Sequence, residues 1–191
     1  MISPDRLLEL AGMLSGLACI WLMIRQNVLT FPLGLVFALI TVVVMWRNNL
    51  YADVLLNSYY VIINAYGWWY WMVRKEEAGV DLPVSRTPTK IRWLLLPIGI
   101  VGFALLVFVL SNYTGAQLVY ANSLTTILSF IAMWMSARKF LESWSVWVVV
   151  NVVSVPMYAY QGILPYAVLY LVYLGMAIQG YRAWAKSMQS T

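Results

Sequence analysis

The sequence predicts an all-α integral membrane protein: seven transmembrane helices, arranged as two parallel three-helix repeats joined by a linker helix. Three observations predict it. The first is composition. Of 191 residues, 63% are hydrophobic and 10% charged, too little polar surface to cover a soluble domain. The second is where the twelve Lys and Arg residues fall. With seven spans drawn, ten lie on one side: Arg25 in the first connection, Arg74, Lys75, Arg86, Lys90 and Arg92 around the third, Arg138 and Lys139 in the fifth, and Arg182 and Lys186 in the C-terminal tail. Only Arg6 and Arg47 fall on the other. Positive charge is retained on the cytoplasmic side of a bilayer, so the bias predicts the N-terminus outside and the C-terminus inside. The third is an internal repeat. An ungapped offset of 113 residues, Trp21 to Trp134, also pairs Arg25 with Arg138, Phe31 with Trp144, Thr41 with Ser154, Tyr60 with Tyr173, Gly67 with Gly180 and Trp71 with Trp184.

Each span needs about 20 mainly apolar residues, and seven of them use most of the chain. The first, 7–24, follows Asp5 and Arg6, lacks a small-residue cleavage site and reads as a retained helix. Gly12 and Gly16 give it a small-xxx-small face, and the single Cys19 is expected to pack, having no partner for an internal disulfide. The second span, 30–46, carries Pro32 in its first turn, where a missing N–H costs nothing. The third covers 52–73 and is followed by a hydrophilic cytoplasmic loop, 74–90, containing Pro83 and Pro88. The fourth, 91–110, is the linker. The fifth and sixth, 120–137 and 144–160, precede the seventh, 164–185, with Pro165 in its first turn. Helices are required because every backbone amide in lipid must be satisfied within its own segment, and the lengths do not suit barrel strands. Trp46, Trp68, Trp69, Trp71, Trp93, Trp144 and Trp184 stand at helix ends, where an interfacial belt is expected. Residues 1–191 therefore form one transmembrane domain, with repeats over 1–73 and 120–185 about the helix at 91–110. The linker helix inverts the chain once, so the triplets run in the same direction. Transporters use such repeats, with the substrate site at the repeat interface near the midplane.

Little in the chain can do chemistry. Without histidine, HExxH metalloproteases, Ser-His hydrolases, His proton relays and haem ligation are excluded. Glu9 and Asp53 lie near the outer ends of their helices, so the midplane offers no carboxylate pair for aspartyl chemistry. Neither an enzyme nor a metal or cofactor site is expected. Nor does the pI near 9.4 point to nucleic acid, because the cations sit at helix ends as topogenic and snorkelling groups.

What the interior does hold is amides, hydroxyls and aromatic rings at helical spacing. Asn57, Tyr60, Asn64, Trp68 and Trp71 follow steps of three and four in the third span, as do Trp144, Trp147, Asn151, Ser154 and Tyr158 in the sixth. The fifth adds Asn122, Thr125, Thr126 and Ser129, and the seventh Tyr170, Tyr173 and Gln179. An amide in hydrocarbon is costly without a partner, so these stripes should face inward. Asn and Ser can simply join helices by hydrogen bonds, but Asn64 and Asn151 share their faces with several aromatics, which helix association does not need. Pro156 frees the carbonyl of Val152 beside Asn151 and is expected to kink the sixth helix. Arg25 and Arg138, at equivalent inner ends, read as snorkelling cations. The candidate substrate-binding residues are Asn57, Tyr60, Asn64, Trp68, Asn122, Thr126, Trp147, Asn151, Ser154 and Tyr158.

These residues and their setting resemble the Pnu family of bacterial vitamin transporters. The resemblance covers nearly the whole chain and is carried by Glu9-Leu-Ala-Gly12, Leu50-Tyr-Ala-Asp53, Tyr66-Gly-Trp-Trp-Tyr-Trp71, Ala137-Arg-Lys139, Asn151-Val-Val-Ser154 and Tyr160-Gln-Gly162, in that order. It implies two three-helix repeats about a linker, a bacterial inner-membrane location, a homotrimer, and facilitated diffusion driven by intracellular phosphorylation of the vitamin. A midplane without titratable groups agrees with uncoupled transport. The ligand it implies is a small cationic heteroaromatic vitamin, bound by Trp and Tyr through cation–π attraction. Thiamine is favoured: the short N-terminus and the helix 3 run resemble the thiamine branch, and Phe37 stands where riboside carriers can have Asn. Asn122, where both branches often have Asp, departs from the pattern. Nicotinamide riboside is the alternative. Two rivals lie outside transport. A seven-helix receptor would need partner-binding inner loops, but the first and fifth are about five residues each. A structural membrane protein would not need midplane amides flanked by aromatics.

Overall fold

Because a chain this apolar can satisfy its amides only locally, helix follows helix along its whole length. The computed structural model describes residues 4–47, 51–79, 82–115 and 117–189. Its helices are α1 (Pro4–Ile24), α2 (Thr30–Arg47), α3 (Tyr51–Ala78), α4 (Thr89–Tyr113), α5 (Val119–Ala137), α6 (Ser143–Tyr160) and α7 (Leu164–Gln189). The fold is all-α with seven helices among the described residues, as expected. Leu50 of the Leu50–Asp53 motif and the side chains of Arg6, Glu9, Asp53 and Arg74 lie outside the described part. By length and composition α2, α4 and α7 can each cross a membrane, and α1 contributes a shorter apolar stretch, Gly12–Ile24. Amides, hydroxyls and end charges dilute α3, α5 and α6.

The hydrophilic loop is shorter than expected. Helix α3 continues to Ala78, since Arg, Lys, Glu and Ala are strong helix formers once clear of the apolar segment. It stops at Gly79, whose φ of 67° suits a left-handed cap and whose N–H donates to the Lys75 carbonyl at 2.9 Å. Pro156 does not interrupt α6, which runs unbroken to Tyr160.

The chain divides into two compact units, Met1–Leu82 and Pro83–Thr191. In the first, the Phe31 ring meets Trp71 edge-on at 4.9 Å and 85° and fills the space beside Gly67, where no Cβ fits. The Thr30 hydroxyl donates to the Cys19 carbonyl at 2.9 Å, tying the start of α2 to α1. The Phe37 ring lies against Gly12. In the second unit, Trp144 meets Trp184 edge-on at 5.4 Å and 89°, and a Cβ on Gly180 would stand 2.6 Å from the Trp144 ring. Helix α4 lies along α5, with Gly102 and Gly99 admitting Ile127 and Ile131, and none of the described α4 residues is buried.

The residues that match at the 113-residue offset are thus the ones that touch each other inside each unit: Phe31, Gly67 and Trp71 in one, Trp144, Gly180 and Trp184 in the other. The turns agree as well. Gln26 and Lys139 both take left-handed backbone, φ 55° and 53°. Arg25 lies 4.8 Å over Trp21 and Arg138 5.9 Å over Trp134. These stacked arginines keep a cationic head at the helix end by cation–π attraction. Lys139 departs from its expected role as a surface cation, being 2% exposed.

The tryptophan belt needs correction. Trp46, Trp68, Trp69 and Trp93 are exposed, but Trp71, Trp144 and Trp184 are buried. Trp71 docks edge-on with Phe31, and Trp144 and Trp184 edge-on with one another, so packing between helices takes them out of the interface.

Candidate functional site

Helix α6 gathers the strongest set of polar groups. The periodicity of three and four puts Asn151 and Ser154 on one face, and both are buried, Asn151 at 4% exposure. The fully buried polar atoms without a partner among the described residues include the Ser123 and Ser143 hydroxyls and Trp144 Nε1, and neither the Asn151 amide nor the Ser154 hydroxyl is one of them. Further along α6, the Tyr158 ring stacks on Tyr170 at 5.0 Å and 24° and lies 5.5 Å from Tyr166 at 32°. Tyr170 in turn meets Tyr173 edge-on at 5.6 Å. A tyrosine cluster therefore stands one turn beyond Ser154. Tyr166 was not among the candidates, although its spacing of four from Tyr170 is the signal that finds it. On α5, the Ser123 hydroxyl is buried without a partner among the described residues.

Asn64 is in a different condition. It is also buried, at 5% exposure, but its Nδ2 donates to the Tyr60 carbonyl one turn back at 2.7 Å. Its Oδ1 faces Gly34 so closely that a Cβ there would come within 2.5 Å. The amide acts as a helix-packing group between α3 and α2. At the 113-residue offset Asn151 corresponds to Ala38 and Asn64 to Ala177, all four buried. Each unit thus carries one amide and one alanine, in exchanged places.

The remaining candidates are engaged within their own units. Trp147 donates Nε1–H to the Ser136 hydroxyl at 3.3 Å, joining α6 to α5. Asn122 donates to the Gln117 carbonyl at 2.6 Å, holding the entry to α5. Trp68 is exposed, contrary to the inward face expected for it, and so is Gln179, because the polar stripe of each helix is wider than the face its neighbours cover. Asn57, Tyr60 and Thr126 are half-buried, Tyr60 with its ring edge-on to Tyr59 at 5.7 Å. Thr125 and Ser129 return their hydroxyls to carbonyls of their own helix.

One acidic side chain, unnoticed in the sequence, organises the loop face of the second unit. Glu142 Oε2 accepts from the Thr87 backbone N–H at 2.7 Å and from its hydroxyl at 2.8 Å. Oε1 accepts from Arg92 Nη2 at 3.0 Å and lies 3.6 Å from Arg86. Partial burial pushes the Glu142 pKa up, but the hydrogen bonds from Thr87 and the charge of Arg92 outweigh this and hold it below the usual carboxylate value. Among the described residues no cluster of His, Cys, Asp or Glu could hold a metal ion.

A buried amide and hydroxyl on one helix face, next to stacked tyrosines, suit a polar aromatic solute. Comparison with known proteins decides the family. A profile of the nicotinamide mononucleotide transporter family matches residues 6–186. The chain belongs to that family. As a member of the nicotinamide mononucleotide transporter family it is a multi-pass membrane transporter. It is 28% identical over 204 residues to the nicotinamide riboside transporter PnuC of Escherichia coli strain K12, covering 94% of this chain and 85% of that one. To the nicotinamide riboside transporter PnuC of Haemophilus influenzae it is 24% identical, covering 99% and 84%. The crystal structure of the vitamin B3 transporter PnuC superposes with a TM-score of 0.75 at 22% identity, covering 98% of this chain and 84% of that chain, a shared fold. None of these relatives is named for thiamine.

Proposed function

We propose that the protein carries nicotinamide riboside across the bacterial inner membrane by facilitated diffusion. The observation that carries the reading is the Asn151 amide, buried at 4% exposure on the helix face it shares with Ser154, two turns before the Tyr158–Tyr170 stack. A substrate's ring amide or ribose hydroxyl is its natural complement, with Ser154 one turn away. The Tyr158–Tyr170 stack offers π-faces to a pyridinium ring, since a cation over such a face gains about 0.5–2 kcal/mol. The names of the relatives favour the riboside over thiamine. The packing of Phe37 against Gly12 also weakens the case for thiamine, because that residue is accounted for by contact between α1 and α2.

Several features belong to the same reading. Helices α1–α3 and α5–α7 are taken as parallel repeats about α4, supported by the matching Phe31–Trp71 and Trp144–Trp184 pairs. The N-terminus is outside and the C-terminus inside, supported by the Lys and Arg bias. Intracellular phosphorylation of the vitamin supplies the sink. A homotrimer is included by resemblance, with the unburied apolar surface of α4 available to lipid or neighbouring copies.

Proteoliposomes containing the purified protein test the reading. Labelled nicotinamide riboside should equilibrate down its gradient, faster than thiamine and without coupling to protons or sodium. Faster uptake of thiamine would restore that vitamin as the substrate. Accumulation driven only by an imposed proton or sodium gradient would refute facilitated diffusion.

A further inference from the structure

The α1–α2 turn of the first unit and the α5–α6 turn of the second have like backbones but are held differently. In the α5–α6 turn, the segment entering α4 is stitched to the backbone. Ser85 N–H donates to the Lys139 carbonyl at 3.1 Å, and Leu141 N–H donates to the Ser85 carbonyl at 2.9 Å, a parallel bridge between Ser85 and Phe140. Glu142 closes the junction through Thr87, Arg92 and Arg86, while Arg92 Nε also donates to the Thr87 carbonyl at 2.9 Å. Thr87 is buried. One carboxylate therefore satisfies a backbone amide, a hydroxyl and two guanidinium groups at the start of a helix. Charge-assisted bonds of this kind are about twice as strong as neutral ones.

At the 113-residue offset Glu142 corresponds to Leu29, which has no carboxylate to make such a junction and is 57% exposed. The α1–α2 turn is closed locally, by Leu29 N–H donating to Asn27 Oδ1 at 2.9 Å and Thr30 N–H to the Asn27 carbonyl at 3.1 Å.

We infer that Glu142 is a positioning residue for transport: it latches the inner end of the α5–α6 hairpin to the segment entering α4, so that inner-side movement is carried by the α1–α2 turn, an inference that rests on the inside assignment proposed above. The latch lies nine residues before Asn151 on α6. Through Trp144, seated on Gly180 and Trp184, it sets where the α6 face stands relative to α7. Local opening draws on the less tethered elements: the hydrogen bonds that Leu29 and Thr30 donate at the α1–α2 turn run between neighbouring residues of 19–31, whereas the α5–α6 turn is also bonded to 85–87, more than 50 residues away.

Amide hydrogen exchange on the full chain in lipid nanodiscs tests this, first without vitamin. The Ser85, Thr87 and Leu141 amides should exchange at least about tenfold more slowly than the Leu29 amide. Glu142→Ala should remove most of that protection while leaving 25–30 unchanged, and Glu142→Gln, which keeps the acceptor for Thr87, should restore part of it. In proteoliposomes, Glu142→Ala should lower the maximal uptake rate while the half-saturating vitamin concentration stays the same. Adding nicotinamide riboside to the native protein should alter exchange at 25–30 and leave 85–87 and 139–141 as they were. Latch amides that exchange as fast as Leu29, or that ignore Glu142→Ala, overturn the inference, as does a vitamin-dependent change at the latch. If Glu142→Ala does not fold, the same comparison is made with Glu142→Gln and Thr87→Val. Failure of the vitamin to bind in calorimetry would instead refute the proposed substrate, with the latch already judged from the vitamin-free exchange.

Discussion

Replacing Asn151 by leucine separates a ligand contact from helix association, because the two roles predict opposite signs. In the vitamin-free protein Asn151 is buried at 4% exposure. An unsatisfied buried amide costs about 1–3 kcal/mol. Leucine keeps the branched shape, is bulkier by its two methyls and carries no polar atom, so Asn151→Leu should leave stability without vitamin unchanged or, where the methyls fit without overpacking, raise it. At about 2–4 °C per kcal/mol for a chain of this size, the melting temperature should hold or climb by several degrees. Binding should respond the other way. A substrate group that loses its only partner on desolvation forfeits about 1–3 kcal/mol, a fall in affinity of roughly 5- to 150-fold. Calorimetry with nicotinamide riboside, paired with a melting curve without it, reads both quantities on one preparation. Unchanged affinity together with a lower melting temperature would refute the reasoning and return Asn151 to a structural role.

Three further outcomes are expected. Gly180→Ala should lower the melting temperature by an amount corresponding to about 1–3 kcal/mol, because the new Cβ would stand 2.6 Å from the Trp144 ring and force the overpacked helices apart. The Glu142 carboxyl titrates below its usual value in the folded protein, so its stabilisation is present above the ordinary carboxylate range and lost as pH falls through the folded pKa. The gap in melting temperature between native protein and Glu142→Gln should accordingly be full at neutral pH and close on acidification. A reporter fused after Thr191 should be cytoplasmic, and its accessibility from outside intact cells would contradict the seven-span orientation.

The sequence by itself determined the helices and their number. Residues 30–46, 120–137, 144–160 and 164–185 agree with α2, α5, α6 and α7 within a few residues at each end, because in lipid a helix is a local solution that needs no distant partner. It also carried the repeat-like pairs, which are legible as matching rare residues before any contact is known. Side-chain fate was another matter. Asn64 and Asn151 look alike in the sequence, each an amide on an aromatic helical face, yet only Asn64 meets its own helix's carbonyl and a facing glycine. Trp93 and Trp184 both stand at helix ends, but Trp184 is 0% exposed because Trp144, forty residues earlier on α6, meets it edge-on beside Gly180. Glu142 gave no signal, since Thr87, its nearest partner, lies 55 residues away in sequence. Helix periodicity specifies which face a residue occupies. What that face meets depends on partners remote in the chain, and tertiary packing alone brings them together.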